Sequence, residues 1–113
     1  MPDDCLFCRI VARQIPAAIV AETDDAIAFR DINPAAPVHV LVIPKTHVDS
    51  LALAANDGEL GRLVSLAARV AEGEGIADSG YRTVINTRQD GGQTVDHLHL
   101  HVLGGRTMAW PPG

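Results

Sequence analysis

Three histidines, His97, His99 and His101, stand at alternate positions in the run HLHLHVL near the carboxyl end of the chain. In a β-strand successive side chains point to opposite faces of the sheet, so the three imidazoles are predicted to share one face, about 7 Å apart along the strand. The apolar residues between them then face the core. We therefore predict a strand from His97 to Leu103 that presents a row of imidazoles next to a glycine-rich segment.

Three interpretations of this row are open from the residues alone. The first is that the row is the polar face of an ordinary strand. This interpretation is the least favoured, because three histidines with a period of two are hard to obtain by chance. The second is that the row is a metal site, since neutral imidazole is a common metal ligand. The third is that one histidine is a nucleophile or a general acid and base, and that its neighbours adjust its reactivity. His39, alone in the apolar run 38–43, is either a core residue or a supporting member of the same site.

A pair of cysteines, Cys5 and Cys8, lies at the amino end in the spacing C-x-x-C. The first residues contain no basic stretch followed by an apolar run, so no signal peptide is predicted and we expect a cytoplasmic protein. In that compartment the spacing indicates metal or redox chemistry more often than a structural disulfide. A thioredoxin-like role is disfavoured because no βαβ pattern surrounds the pair. The remaining alternative is two reduced cysteines that pack as small apolar residues.

The composition limits the kind of protein and its partners. The 113 residues predict a single domain, 1–113, and 47% hydrophobic with 20% charged residues is typical of a globular chain. A net charge of −5 without basic blocks argues against nucleic-acid polymers and membranes as partners. Binding of one or two phosphates is compatible with this charge, because backbone N–H groups bind phosphate without charged side chains.

The rest of the chain supplies the elements that position these residues. Periodicity predicts a helix over 6–13, strands over 19–22, 26–30 and 38–43, a helix up to Gly73, and strands over 81–86 and 97–103. The second helix begins at Asn56, which with Glu59 forms a capping-box pattern, and its predicted apolar face contains Leu60, Leu63, Val64, Ala67, Val70 and Ala71. Short links favour antiparallel pairing. The predicted class is α+β, with a five-stranded, mostly antiparallel sheet and two helices.

Ordered motifs along the whole chain carry a family resemblance. The run from His97 to Leu103 is similar to the defining motif of the histidine-triad (HIT) superfamily. The segments DINP, APVH, LVIPKTH, DGGQ, HVLGGR and WPPG resemble its Hint-like branch of purine nucleoside phosphoramidases. The resemblance implies the HIT-like fold, a homodimer and a purine nucleotide substrate.

The same resemblance implies catalytic roles for four histidines. His99 matches the nucleophile, which attacks the α-phosphorus of a nucleoside 5′-phosphoramidate such as AMP-NH₂, or of a related nucleotidyl conjugate. Water then hydrolyses the covalent nucleotidyl-histidine and releases the nucleoside monophosphate. The backbone carbonyl of His97 is expected to hold the Nδ1–H of His99. His101 contacts the phosphate and the leaving group, and His39 lies behind the triad.

Substrate contacts are implied in the same way. Asp31 accepts the ribose hydroxyls and Ile32 lies against the base. The tail 104–113 approaches the site of the dimer partner through Trp110. The implied base pocket consists of Leu6, Phe7, Ile10 and Phe29, and the implied contacts to the phosphate or leaving group are Asn86, Gly92 and Thr94.

The cysteine pair departs from the metal-free members of the branch and resembles HIT proteins that bind a structural zinc. On that pattern the ligands are Cys5, Cys8, His47 and His97. Four such ligands close a tetrahedral site, so the metal holds the first helix against the sheet and leaves no position open for catalysis. No organic cofactor is expected.

Two other functions remain as alternatives. A metalloenzyme that uses the three histidines of the row directly is disfavoured, since the outer two lie roughly 14 Å apart on one strand. A non-catalytic nucleotide-binding or scaffold HIT protein is the main alternative. The intact row argues against it, because a binding protein needs no nucleophile.

Overall fold

One sheet of five strands organises the chain, whose computed structural model describes residues 4–54 and 56–113. The elements in chain order are α1 (Leu6–Val11), β1 (Ile19–Glu22), β2 (Ala26–Arg30), β3 (Val38–Pro44), a 3₁₀ turn (Leu51–Leu53), α2 (Asp57–Gly73), β4 (Tyr81–Val84) and β5 (Leu100–Gly104). Across the sheet the strands follow the order β1–β2–β3–β5–β4, and each neighbouring pair is antiparallel. The predicted α+β class with a five-stranded sheet and two helices is confirmed.

Strand β3 lies at the centre of the sheet, between β2 and β5. Its residues from His39 to Ile43 are buried, which explains why the strand is apolar throughout except at His39. The register places Leu41 opposite His101 and His39 opposite Leu103. His39 and His101 are therefore diagonal neighbours on one face of the sheet, although 62 positions separate them in the chain.

The two helices cover opposite faces of the sheet and create two environments. Helix α2 packs on an apolar face that includes Val40, Val42, Leu100 and Val102. Helix α1 packs on the other face in the group Cys5, Phe7, Cys8, Ile10, Ile27, Phe29, Leu41 and Ile43. The histidines of the triad belong to the α1 face, because residues of an extended chain alternate between faces and Leu98, Leu100 and Val102 occupy the α2 face.

Helix α2 begins and ends as predicted, but one residue of its predicted apolar face is exposed. The side chain of Asn56 accepts the N–H of Glu59 at 2.9 Å, which confirms the cap. The residues buried against the sheet are Leu63, Leu66, Ala67, Val70 and Ala71, whereas Val64 is 53% exposed. The prediction for Val64 is wrong because the stripe of the helix that the sheet covers includes Leu66 instead, with the spacing i, i+3, i+4, i+7 and i+8. Neither helix of the described residues is long and apolar enough to cross a membrane.

Two predicted strand boundaries are also wrong. Strand β5 begins at Leu100 instead of His97, and β4 ends at Val84 instead of Asn86. The ladder between β3 and β5 stops where Val42 faces Leu100. Before that point the chain stays extended but bonds elsewhere, since the N–H of Leu98 donates to the carbonyl of Val48 at 2.7 Å. The alternation of side chains therefore continues through His97 and His99 without the regular strand.

Candidate active site and metal centre

The central histidine of the triad, His99, is buried, with 4% of its surface exposed, and its two ring nitrogens differ. Nδ1 lies 2.7 Å from the backbone carbonyl oxygen of His97. A carbonyl oxygen only accepts hydrogen bonds, so Nδ1 of a neutral ring carries the proton and Nε2 carries the lone pair. Phe7 packs edge-on against the ring, with 5.2 Å between the centroids. The imidazole is thus held in the tautomer in which Nε2 has the free lone pair.

Hydrogen bonds behind the triad set the tautomers of the two supporting histidines. The N–H of Ala35 donates to Nδ1 of His39 across 3.0 Å, so the proton of a neutral His39 is on Nε2. That Nε2–H donates to Nδ1 of His101, 2.9 Å away, which leaves the proton of neutral His101 on Nε2. Nε2 of His101 is buried and has no hydrogen-bond partner among residues 4–54 and 56–113. It is therefore a donor available to a ligand.

Burial keeps both supporting histidines uncharged. Desolvation, followed by the neighbouring rings of His99 and His39, lowers the pKa of His101 to about 4. Desolvation also lowers the pKa of His39, although the carboxylate of Asp31 opposes the change. Near neutral pH both rings are thus neutral, as the hydrogen-bonded tautomers require.

A cavity of about 300 Å³ lies in front of His99 and His101, which is large enough for a small ligand. The predicted site residues that line it are Leu6, Phe7, Ile10, Phe29, Asp31, Ile32, Thr94, His99 and His101. Three other predicted contacts, Asn86, Gly92 and Trp110, do not line it, and Trp110 is 82% exposed. The structure thus brings together most, but not all, of the predicted substrate residues within one protomer.

Several lining residues escaped the sequence analysis. They are Ile15, Pro16, Ala17, Arg30, Leu41 and Val95. The first three follow α1, and the apolar residues around Pro16 were the available sign that the chain continues along a buried surface. Leu41 could have been found by its alternation with His39, since the two residues share a face of β3.

The carboxylate of Asp31 is held at the wall of the cavity by neighbouring groups. Oδ1 accepts the N–H of Asn33 at 2.8 Å, and the N–H of Asp31 donates to the carbonyl oxygen of His39 at 3.0 Å. Oδ2 lies 3.5 Å from Nε2 of His39. A carboxylate has about four acceptor positions, so enough remain for two hydroxyl groups of a ligand.

A second cluster lies beside the triad. The ligand atoms of Cys5, Cys8, His47 and His97 lie within 4.8 Å of one another, as the predicted zinc site requires. Sγ of Cys8 is 3.2 Å from Nδ1 of His47 and 3.6 Å from Nδ1 of His97, which in turn is 3.4 Å from Sγ of Cys5. Zinc bonds of about 2.0–2.3 Å give tetrahedron edges of about 3.3–3.8 Å. The four residues therefore fit one tetrahedral ion.

The second nitrogen of each histidine in this cluster acts as a donor. Nε2 of His97 donates to the carbonyl oxygen of Pro44 at 2.8 Å, and Nε2 of His47 donates to the carboxylate of Asp49 at 2.6 Å. Each Nδ1 thus carries a lone pair, and the two atoms lie 3.2 Å apart, beside the two thiols. Both lone pairs are available as ligands to one cation.

Burial disfavours ionisation of the Cys8 thiol. Burial, followed by the hydrogen bond and charge of Cys5, raises the pKa of Cys8 to about 11. A metal ion displaces that proton when it binds, so a ligand role reverses the effect of burial. Asp49, which orients His47, was not predicted. Its position two residues after a candidate ligand was the available sign.

Comparison with known proteins decides the family. The HIT domain matches residues 12–108. The chain belongs to the HIT domain family. Its relatives include an uncharacterized HIT-like protein of Synechococcus elongatus, 53% identical over 115 positions and all of both chains. The purine nucleoside phosphoramidase of Escherichia coli is 44% identical over 110 positions, which cover 96% of this chain and 92% of the relative.

A solved structure shows the same HIT fold. A HIT family hydrolase from Legionella pneumophila superimposes with a TM-score of 0.92 and 47% identity, over 97% of this chain and 100% of that one. The resemblance inferred from the histidine run is therefore confirmed at the level of family and fold.

The hydrogen bonds predict a tautomer for each histidine of the site. Long-range nitrogen-15 spectra near neutral pH are expected to show His99 with its proton on Nδ1, and His39 and His101 with theirs on Nε2. In His39→Ala, which removes the donor to His101, we expect His101 to sample both tautomers while His99 is unchanged. A proton on Nδ1 of His101 in the native protein would contradict the hydrogen-bond chain.

Proposed function

We propose that this HIT protein is a hydrolase that cleaves nucleoside 5′-phosphoramidates, or related nucleotidyl conjugates, at the α-phosphate and releases the nucleoside monophosphate. The observation that carries the proposal is the orientation of His99, whose Nδ1–H bonds to the carbonyl of His97 while Nε2 is free at a ligand-sized cavity. A module that only binds nucleotides has no need for a buried histidine in the tautomer of a nucleophile.

The shape and chemistry of the cavity support a nucleotide substrate. Aromatic and aliphatic side chains at one end, among them Phe7, Ile10 and Phe29, suit the flat apolar surface of a purine base. Asp31 offers acceptors for the two ribose hydroxyls. The α-phosphate of such a ligand then lies against His99, within reach of Thr94. The E. coli relative carries the name of this activity.

The proposed reaction has two displacements. Nε2 of His99 attacks the α-phosphorus, a P–Nε2 bond forms, the P–N bond to the leaving amine breaks, and the amine takes up a proton as it leaves. The imidazole becomes positively charged, and the carbonyl of His97 stabilises its Nδ1–H. Water then attacks phosphorus as the P–Nε2 bond breaks, which restores neutral His99 and releases the monophosphate. The proton that this water gives up to the solvent replaces the one that the leaving amine took from it. Two moderate barriers replace one high barrier.

His101 supplies the donor that this reaction needs beside the phosphate. Its buried Nε2–H has no partner among the described residues and lines the cavity, so a phosphate oxygen or the leaving nitrogen can accept it. His39 keeps that proton on Nε2 by donating to Nδ1. The low pKa of His101 means that this donor is a neutral imidazole. We also propose contacts from Asn86 and the Gly92 backbone to the phosphate side of the ligand.

We propose that Cys5, Cys8, His47 and His97 hold a structural zinc ion, for which their spacing and donor set are suited. When bound, the ion supplies a rigid cross-link and no open coordination position. His97 would then be fixed by its side chain while its backbone carbonyl holds His99. Cys8 lies on α1, which also carries Phe7 and Ile10 of the cavity wall.

A pair of thiol ligands suits a reducing compartment, and we place the protein in the cytoplasm.

We further propose a homodimer through α2 and β4. Strand β4 is an edge of the sheet, and Tyr81 on β4 and Val64 on α2 are exposed apolar side chains. Association would cover them and pair the free edge. Trp110, which is exposed and lies outside this protomer's cavity, would then serve the partner's site.

The role of His99 predicts the effect of its removal. In His99→Ala the release of AMP from adenosine 5′-phosphoramidate is expected to fall by at least about a thousandfold, because no nucleophile remains, while AMP affinity stays near the native value. Initial rates and calorimetry measure the two effects. His101→Ala is the comparison variant, with a smaller loss of rate. Residual activity of His99→Ala within about tenfold of native would refute the assignment. A native protein that binds AMP but produces none from the phosphoramidate would favour the binding-module alternative.

Metal analysis tests the zinc site. Protein purified without chelator is expected to contain about one equivalent of zinc per chain, and removal of zinc should lower the melting temperature, because the ligands stabilise only the folded state. His47→Ala should lose the metal, whereas His101→Ala, a histidine outside the cluster, should retain it. Less than about 0.2 equivalents, together with free alkylation of Cys5 and Cys8, would reject the site.

Sedimentation tests the dimer. The native protein is expected to have twice the monomer mass at micromolar concentration, and Val64→Glu should shift it towards the monomer because a charge in the interface is desolvated. Leu53→Glu is the matched control, since Leu53 is 56% exposed and lies on the 3₁₀ turn outside the proposed interface. A monomeric native protein, or equal effects of the two variants, would contradict this arrangement.

A further inference from the structure

The loop between β4 and β5 is wound tightly and has little regular structure to hold it. Arg88 has a φ of +60° and Gly92 a φ of +81°, both in the left-handed region that non-glycine residues rarely adopt. A Cβ atom at Gly91 would lie 2.5 Å from the carbonyl oxygen of Thr87, so the backbone passes close to itself. Such a conformation persists only where surrounding groups hold it.

The side chain of Gln93 is the group that closes this loop. Its Oε1 accepts the backbone N–H of Arg88 at 2.8 Å, and the backbone N–H of Gln93 donates to the carbonyl of Arg88 at 3.0 Å. The two residues are therefore joined twice, once through the backbone and once through the side chain. This double link brings the ends of the segment 88–93 together and holds Arg88 in its strained conformation.

The same side chain joins the loop to two other segments. Nε2 of Gln93 donates to the carbonyl oxygen of Asp49 at 2.7 Å and to that of Val95 at 3.0 Å. A glutamine amide has two N–H donors and one carbonyl, and here each of them has a partner. Asp49 is the residue whose carboxylate binds His47. Gln93 thus connects the glycine loop both to the segment beside the metal cluster and to the cavity wall, which contains Thr94 and Val95.

We propose that Gln93 is a positioning residue that holds the loop 88–93 and Thr94 in place for the phosphate of the substrate. The inference rests on the proposed nucleotide substrate and goes beyond it, because Gln93 does not line the cavity and acts only through the groups that it holds. Loss of its three hydrogen bonds frees the backbone of the loop and of Thr94, which follows Gln93 directly and lines the cavity. Phe7 and Phe29 of the apolar pocket lie on α1 and β2, and none of the three hydrogen bonds of the Gln93 side chain reaches them.

This separation predicts a selective loss of phosphate affinity. In Gln93→Met, which keeps the length of the side chain and removes all three hydrogen bonds, the dissociation constant of AMP is expected to rise about tenfold. That of adenosine should stay within about twofold of native, because the base and ribose contacts remain. Calorimetry with AMP and with adenosine measures both. Gln89→Met is the matched control, since Gln89 is an exposed glutamine of the same loop whose side chain makes no hydrogen bond within the described residues.

Amide hydrogen exchange provides a readout that does not depend on a ligand. The N–H of Arg88 is expected to exchange faster in Gln93→Met than in the native protein or in Gln89→Met. If Gln93→Met does not fold, Gln93→Glu replaces it, since a carboxylate keeps the acceptor for Arg88 but faces the carbonyl oxygens of Asp49 and Val95. In Gln93→Glu the same loss of AMP affinity is then expected at a pH above the pKa of the new carboxyl group. The AMP affinity should recover as the pH is lowered and that group is protonated.

The outcomes separate this inference from the proposed function. A native protein that releases no AMP from the phosphoramidate overturns the proposed function. A native protein that does release AMP, with unchanged AMP affinity in the Gln93 variant, overturns only the role of Gln93. Equal weakening of AMP and adenosine also overturns it, because it would indicate a general structural defect. Selective weakening of AMP with faster exchange at Arg88 supports it.

Discussion

The placement of His97 is the constraint on which the rest of the site depends. The residue is fully buried, and three of its polar positions have separate partners. Nδ1 faces the cysteines, Nε2 donates to Pro44, and the backbone carbonyl holds the Nδ1–H of His99. A movement of His97 would shift that carbonyl, and the proton of His99 would no longer be held on Nδ1. A metal bound by the side chain would therefore stabilise the position of His99 through rigidity, with no open coordination position of its own.

Neutral imidazoles are the second requirement, and burial supplies them. Desolvation lowers the pKa of both His39 and His101, so that both rings are uncharged near neutral pH. Two consecutive hydrogen bonds, which start at the backbone N–H of Ala35, then determine which ring nitrogen of each histidine carries the proton. Oriented neutral donors bind an anion without a basic patch, which is compatible with the net charge of −5.

The periodic parts of the sequence predicted most of the fold. The alternation of leucine and histidine before Leu103 assigned the two faces correctly, because the period of two holds in any extended chain. It did not locate the start of β5, since that depends on where β3 stops pairing. The exposed Val64 escaped prediction for a similar reason: helical periodicity does not report how wide a stripe the sheet covers.

By itself the sequence determined the kind of residues that meet: a row of histidines, a C-x-x-C pair and a glycine-rich segment, in an order that resembles HIT proteins. Local chemistry and spacing are sufficient for that. Only the tertiary structure decided which nitrogen carries each proton, that Asp49 orients His47, and that Gln93 closes the loop before Thr94. These features arise from contacts between segments that lie far apart in the chain, or from side chains within a loop without periodicity. Hydrogen-bond geometry, which residue spacing does not encode, sets them.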